Sequence, residues 1–295
     1  MTSASKVRAY VLVCLLFCYS AFSQQGKPKL ASRAETGFQY TTLQVPGATY
    51  TVAYGVNNNG DIVGSFVLNG VQSGFLYSGG AFQTIACPGV GYTIAQGIND
   101  NGVIVGWCGP FGAHRKAYGF ICQDGNYSYV TYPNALITAL LGINNQGEIV
   151  GTHNRGSFLY NNGTFTRIGG NKVSLSGINN AGIVAGTACT STCQGVIYAK
   201  EKKKWQLQET VNYPGAASTA LNGINDNGDL AGDWGPTQCG ASEGFAYFKD
   251  TNTFVGFDIQ NSADMEAQGI NNSGEIVGFY TVGSTFYGFY GYVSQ

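Results

Sequence analysis

Three carboxylates, Asp233, Asp264 and Glu266, fall in the C-terminal part of a chain where only 11% of residues carry charge. Carboxylates facing each other across a cleft can divide the acid and base roles in cleaving a polysaccharide. Histidine with arginine, as in His114-Arg115 and His153 with Arg155, suits a lyase. Trp107, Trp234 and Tyr280 add aromatic rings of the kind on which a sugar or peptide stacks. The same tryptophans also suit a packing role, covering the ends of neighbouring sheets, because large aromatics are mostly buried. No short spacing ties these groups together, and no serine, histidine and acid arrangement on a nucleophile elbow is expected. Whatever they do depends on elements that carry them to one place.

Those elements are repeats. The phrase GVNNNGDIVG begins at Gly55 and returns as GINDNGVIVG at Gly97, GINNQGEIVG at Gly142 and GINNAGIVAG at Gly177. It recurs as GINDNGDLAG at Gly223 and GINNSGEIVG at Gly269. Six copies at intervals of 35 to 46 residues make repetition the organising fact.

Within the first copy, four β-like runs are bounded by Gly, Asn or Pro: Tyr50 to Val56, Asp61 to Phe66, Gly74 to Tyr77, and Ala81 to Ala86. Between the first two lies Asn57-Asn58-Asn59-Gly60. A type I turn favours Asn at its first position, and Gly accepts the left-handed conformation of an adjoining bulge. The same Asn recurs as Asn99, Asn144, Asn179, Asn225 and Asn271. A calcium loop is the competing reading, because Asn225-Asp226-Asn227-Gly228-Asp229 resembles part of one. The turns at Asn144 and Asn179 lack internal carboxylates and no bidentate Glu follows, so no metal and no cofactor are expected.

The runs IVG and GFLY are apolar without alternation, so both faces of those strands want burial. Four-stranded sheets packed face to face around an axis satisfy this, and repeats of about 40–50 residues suit such blades. The expected fold is all-β, a six-bladed β-propeller of four-stranded antiparallel blades over residues 38–295. The sixth copy stops after its third strand, near Tyr287 to Val293. The N-terminal phrase FQYTTLQVPG, Phe38 to Gly47, resembles the outer-strand phrase AFQTIACPG, and is expected to complete the last blade and remove free edges.

The pattern GIN-(N/D)-x-G-x-IVG, followed by GFLY and an aromatic outer strand, resembles the HAF-type extracellular repeat family of bacterial exported proteins. The resemblance covers nearly all of residues 38–295. It implies export and a β-repeat array, and it brings no catalytic residues. The copy at Gly177 departs slightly, with Val184-Ala185 for Ile-Val.

Residues 1–23 read as a signal peptide, with Lys6 and Arg8 before an apolar run and Ala21 and Ser23 before cleavage at Gln24. Residues 24–37 are a linker. Cleavage removes two of the 15 basic residues, leaving 13 against 16 acidic ones, a net of −3. That balance argues against nucleic acid as the main partner, and no transmembrane segment is expected in the mature chain. Six cysteines remain, Cys87, Cys108, Cys122, Cys189, Cys193 and Cys239, which in an oxidising compartment suggest disulfides. Cys189 and Cys193 enclose three residues and suit a local staple; the pairing of the others is open.

In a propeller, loops that vary on a rigid frame carry function. Just past each IVG phrase stand Ser65-Phe66, Trp107-Cys108, Thr152-His153, Thr187-Ala188, Asp233-Trp234 and Phe279-Tyr280. His114, Arg115, Lys116, His153 and Arg155 fall with copies two and three. Asp233, Glu243, Asp264 and Glu266 fall with copies five and six. Tyr54, Gln96, Ser176, Asn222 and Gln268 are polar positions on the inner strands, suited to a wet channel. Lys200 to Lys204 is a solvated turn on the opposite face. The expected role is a secreted, non-enzymatic module that binds a glycan or an extracellular protein. A carbohydrate-active hydrolase or lyase on the same face, and a purely structural envelope component, are the alternatives. Peptide mapping without reduction should recover Cys189 and Cys193 in one linked fragment, and two free thiols would remove the staple.

Overall fold

The computed structural model describes residues 37–110, 116–237 and 242–293. The expected signal peptide, the linker up to residue 36, His114, Arg115 and Cys239 lie outside the described residues.

The described residues are all-β. Strand β1 (Phe38–Leu43) precedes the first copy, which forms β2 (Tyr50–Val56), β3 (Ile62–Leu68), β4 (Val71–Ser78) and β5 (Ala81–Ile85). Copy two forms β6 (Tyr92–Ile98), β7 (Ile104–Gly109), β8 (Tyr118–Gln123) and β9 (Asn126–Val130). Copy three forms β10 (Thr138–Ile143), β11 (Ile149–His153), β12 (Gly156–Asn161) and β13 (Thr164–Ile168). Copy four forms β14 (Val173–Ile178), β15 (Val184–Cys189), β16 (Cys193–Glu201) and β17 (Lys204–Val211). Copy five forms β18 (Ser218–Ile224), β19 (Leu230–Gly235), β20 (Glu243–Phe248) and β21 (Thr253–Phe257). Copy six forms β22 (Asp264–Ile270), β23 (Ile276–Val282) and β24 (Thr285–Val293).

Copies three, four and five are separate four-stranded antiparallel sheets, and the remaining strands join in a mixed twelve-stranded sheet. This departs from six separate sheets, and the cause is local. Two single parallel pairs, Tyr50 with Phe286 and Gln72 with Tyr92, connect three antiparallel four-stranded units. They lie where the third strand of one copy begins beside the first strand of the next. An isolated parallel bridge between Ala117 and Ile137 repeats the contact between copies two and three. The N-terminal strand pairs antiparallel with β24 along its whole length, from Phe38–Val293 to Leu43–Gly288. Phe38 stacks on Phe257 at 4.3 Å and the Thr42 hydroxyl bonds that of Tyr280 at 2.9 Å, so β1 is held by side chains as well as by the ladder.

The repeated phrase builds three circuits. In each copy the turn Asn accepts, at its side-chain oxygen, the backbone N–H four residues on at 2.9–3.0 Å. Its side-chain N–H₂ donates to the backbone carbonyl of the turn Asn in the next copy at 3.0–3.2 Å. The sequence runs Asn57, Asn99, Asn144, Asn179, Asn225, Asn271 and back to Asn57. A second circuit links the following residues: each backbone N–H donates to the side-chain oxygen of its counterpart, through Asn58, Asp100, Asn145, Asn180, Asp226 and Asn272, at 2.8–3.0 Å. The opening glycines form the third. A Cβ on Gly55 would lie 3.2 Å from the Cα of Gly97, and the same approach, 2.9–3.4 Å, recurs around to Gly269 against Gly55. A side chain there would force adjoining copies apart.

Between sheets, the Gly of each IVG phrase opposes an aromatic on the third strand: Gly64 faces Phe75, Gly106 Phe120, Gly151 Phe158, Gly232 Phe245 and Gly278 Phe289. All five rings are fully buried. Copy four has Val196 opposite Gly186, which continues its departure from the common pattern. Disulfides join Cys189 to Cys193 and Cys87 to Cys108, the latter tying the crossover after β5 to β7. Cys122 is a free thiol buried in that same core. The lysine-rich run forms the β16–β17 turn, with Lys202 and Lys203 both at positive φ.

Asn225→Ala should lower the unfolding free energy by about 2–4 kcal/mol in denaturant titration, because it orphans a buried N–H and a buried carbonyl together. Gln146→Ala, in the exposed part of a turn, should stay within about 0.5 kcal/mol of the parent. Deleting Phe38 to Leu43 should lower the melting temperature sharply; an unchanged melt would mean that β24 does not need its partner.

Candidate functional site

Each first strand carries one β-bulge, and all six occur at the same place. The register slips around Tyr54, Gln96, Leu141, Ser176, Asn222 and Gln268, the residues that immediately precede the repeated phrase. A bulge leaves one residue unpaired and re-aims its side chain. These six residues, with the glycines and apolar residues that follow them, line one cavity of about 140 Å³. Small-molecule pockets usually enclose about 300–1,000 Å³. The cavity therefore suits water, or one projecting group of a larger ligand. A second cavity of about 70 Å³ lies between the asparagine circuits.

Around the larger cavity the sixfold sameness breaks. Gln96, Leu141 and Ser176 make one side nearly neutral. On the other side Asn222 donates to Asp233 at 2.8 Å and Gln268 donates to Glu266 at 2.7 Å. The Asp264 carboxylate accepts the Ser242 backbone N–H at 2.8 Å and its hydroxyl at 2.6 Å. Copy one supplies Tyr50 and Tyr54, whose hydroxyls lie 3.1 Å apart.

The electrostatics follow from crowding. Burial, with Asp264 nearby, pushes the Asp233 carboxyl up to about 7 against the pull of Asn222. Glu266 rises well above the usual carboxylate range through burial, then Asp233 and Asp264, with Gln268 opposing. Both retain partial solvent contact by surface area. Even so, the density of protein around them and their mutual repulsion govern titration. Like charges so close do not ionise independently. Burial also raises Tyr50 and Tyr54, and the Glu266 charge adds to it.

The residues read from sequence separate into four groups. Asp233, Asp264 and Glu266 come together beside the cavity. Trp107 and Trp234 are 6% and 4% exposed; one packs edge-on to Tyr92 and the other stacks on Tyr213 at 4.5 Å. They cover sheet ends and leave little ring surface for a ligand. Tyr280 is 8% exposed and holds the β1 seam through Thr42 and Tyr287. His153 and Arg155 stand apart on copy three, where the imidazole stacks on Tyr132 at 3.9 Å.

Tyr50, Leu141, Ser242 and Arg167 were not legible as site residues. The bulge position was a usable signal for Leu141, since it occupies the slot held elsewhere by Tyr54, Gln96, Ser176, Asn222 and Gln268. Read as letters, Gly240-Ala241-Ser242-Glu243-Gly244 spells Gly-x-Ser-x-Gly, against the expectation that no such elbow occurs. A nucleophile elbow leads from a strand into a helix. Here Ser242 precedes strand β20, and its hydroxyl bonds Asp264 rather than a histidine.

No protein-family model matches the sequence. Comparison with curated proteins finds no match. Among solved structures, the chain is similar to a puromycin-hydrolysing peptidase of Mycobacterium tuberculosis, with a TM-score of 0.49 and 12% identity over 80% of this chain and 50% of that one. It is similar to a lectin of Aleuria aurantia in complex with Fucα1-6GlcNAc, with a TM-score of 0.48 and 10% identity over 84% of this chain and 93% of that one. The extracellular domain of a one-component system from B. thetaiotaomicron gives a TM-score of 0.42 and 12% identity over 85% of this chain and 39% of that one. The chain thus spans about half the length of the peptidase.

The raised Asp233 carboxyl makes a signed prediction. The folded state binds its proton more tightly than the unfolded state, so the stability it contributes is lost as pH rises from near 3.8 to about 7. Asp233→Asn keeps the hydrogen bond without the charge. Thermal melts should show the variant level with the parent at the acid end of that window and more stable at the alkaline end. A pH-independent difference would mean that the carboxyl is not held protonated.

Proposed function

We propose that the chain is an exported six-bladed β-propeller of HAF-type repeats that binds a polar ligand, a glycan or an extracellular protein, at the mouth of its axial channel. The closed asparagine and glycine circuits support six blades around one axis, and the β1–β24 ladder supports closure by the N-terminal strand. Two disulfides support an oxidising compartment. Among the described residues no helix is long and apolar enough to cross a membrane.

One observation carries the binding reading. The six copies share the Asn and Gly that build two of the circuits and keep Asn or Asp in the third, whereas five different residue types occupy the six bulge positions facing the cavity. Where they differ, copies five, six and one present amides, carboxylates and phenols already oriented by hydrogen bonds. Such planar polar groups suit vicinal hydroxyls or backbone amides of a partner. The small cavity volume favours a large ligand docking by one group over an engulfed small molecule. With Trp107 and Trp234 packed away, recognition on this reading is by hydrogen bonding rather than by an aromatic platform.

A second reading, a carbohydrate-active hydrolase, is favoured by the convergence of Asp233, Asp264 and Glu266, where burial and mutual repulsion raise the carboxyls of Asp233 and Glu266. A proton-holding carboxyl beside an ionised one is the division of labour that glycoside cleavage needs.

One screen tests both readings. Glycans, polysaccharides and extracellular protein fractions are assayed for binding and for product release. The binding reading expects a bound ligand that is not consumed, with affinity about tenfold weaker in Asn222→Ala and Gln268→Ala, a typical effect of removing hydrogen bonds. Ligand binding unaffected by either variant would move the site elsewhere. Released product, abolished by Asp233→Asn or Glu266→Gln, would replace binding with catalysis.

A further inference from the structure

The charged groups at the other side of the loop face, on copy three, are not absorbed by the channel mouth. Arg155 sits at the tip of the two-residue turn between β11 and β12, and Arg167 lies on β13. The Arg167 guanidinium donates to the Arg155 backbone carbonyl at 3.5 Å and to the Asn171 side chain. It also lies over Gly156: a Cβ there would be 3.6 Å from Nη2 and 3.8 Å from Nε. Gly156 has a φ of 133°, a conformation side chains resist, so the turn that presents Arg155 and the space beside Arg167 share one glycine.

Neither arginine has a carboxylate partner among the described residues. Between them and the core is His153. Its ring lies parallel to Tyr132, with 7° between planes, and its Nε2 is buried with no hydrogen-bond partner. Burial, then Arg167, then Arg155, hold the imidazole below its ordinary value. Two exposed guanidiniums thus act on one imidazole and disfavour a third charge, with no carboxylate among the described residues to offset them. Such a cluster is completed by a planar oxyanion, which guanidinium forks match in geometry as well as charge. The net charge of the chain, −1 overall, does not oppose this, because screening confines exposed charges to about 8–10 Å.

We propose that Arg155 and Arg167 form a subsite for an oxyanion carried by the ligand, the carboxylate of a uronic acid or the sulfate ester of a sugar. This deepens the binding reading and rests on it for the sugar, while the oxyanion site itself stands on copy three alone. The groups facing the subsite are Arg155 and Arg167, the His153 imidazole, the Tyr132 ring stacked on it, and the Asn171 amide. None of them is acidic. A bound anion offsets both guanidiniums, so His153 gains its proton more readily in the complex. By linkage, binding tightens as pH falls through the His153 titration.

The test uses the full mature chain and three probes: an oligogalacturonide, a neutral oligogalactan of equal length, and inorganic sulfate. Binding is followed by calorimetry, and His153 by its NMR titration, distinguished from His114 with a His114→Gln variant. The proposal expects the acidic oligosaccharide or sulfate to raise the His153 pKa. It also expects Arg155→Gln with Arg167→Gln to weaken acidic-ligand binding about tenfold or more while leaving neutral-ligand binding unchanged, as for lost charge-assisted bonds. Melting curves on the double variant confirm that it folds. A His153 pKa unmoved at saturation, equal affinity for acidic and neutral sugars, or no binding of any probe would overturn the subsite. Sulfate raising the His153 pKa while no sugar binds would keep the subsite and remove the glycan reading. Sugar binding indifferent to both arginines would do the reverse.

Discussion

A single asparagine side chain, repeated six times, holds this fold in register. Its oxygen accepts N–H groups within its own turn, and its amide reaches the carbonyl of the same residue in the next copy. One side chain therefore links local turn geometry to the placement of neighbouring sheets. All six are buried, so each of these bonds stands in for water that cannot reach the groups. The last link, from Asn271 to Asn57, spans 214 residues of sequence and makes the circuit close. The glycine circuit beside it sets how near the first strands approach, and the Gly–Phe pairs fill the space between sheets.

That uniformity frees other positions. Because Asn and Gly secure the frame at fixed places in each copy, and Phe in five of the six, the bulge residue can be Leu, Ser, Gln, Asn or Tyr without disturbing it. The acidic group exploits this freedom at a cost: Asp233 and Glu266 are crowded enough to favour their protonated forms. A structural role alone would be served as well by amides. Two crowded carboxyls beside a cavity, and two arginines without a carboxylate partner among the described residues, are departures from local economy of the sort that accompany recognition or chemistry. The acidic groups belong to copies five and six and the basic ones to copy three.

The aromatic residues illustrate the opposite outcome. Trp107 stands one residue and Trp234 two residues beyond a repeated glycine, where strand alternation places successive side chains on opposite faces of a sheet. Trp234 therefore turns to Tyr213 between sheets while its neighbour Asp233 turns to Asn222. Adjacency in sequence made them look like parts of one site, and the pleat separates them. Tyr280 is drawn away in the same manner, toward the strand that closes the last sheet.

The amino-acid sequence alone determined the number of copies, the four-stranded unit, the Asn–Gly turns, the partner of the N-terminal strand and the Cys189–Cys193 staple. Each depends on contacts within a few residues or on a pattern repeated often enough to declare itself. The tertiary structure alone decided that Asp233, Asp264 and Glu266 meet, that Cys87 pairs with Cys108, and that Arg155 and Arg167 come together beside His153. Those contacts join side chains of different strands or different copies. Their distances depend on bulges, on sheet-to-sheet angles and on which face of the pleat each residue occupies, quantities that a repeat pattern leaves free.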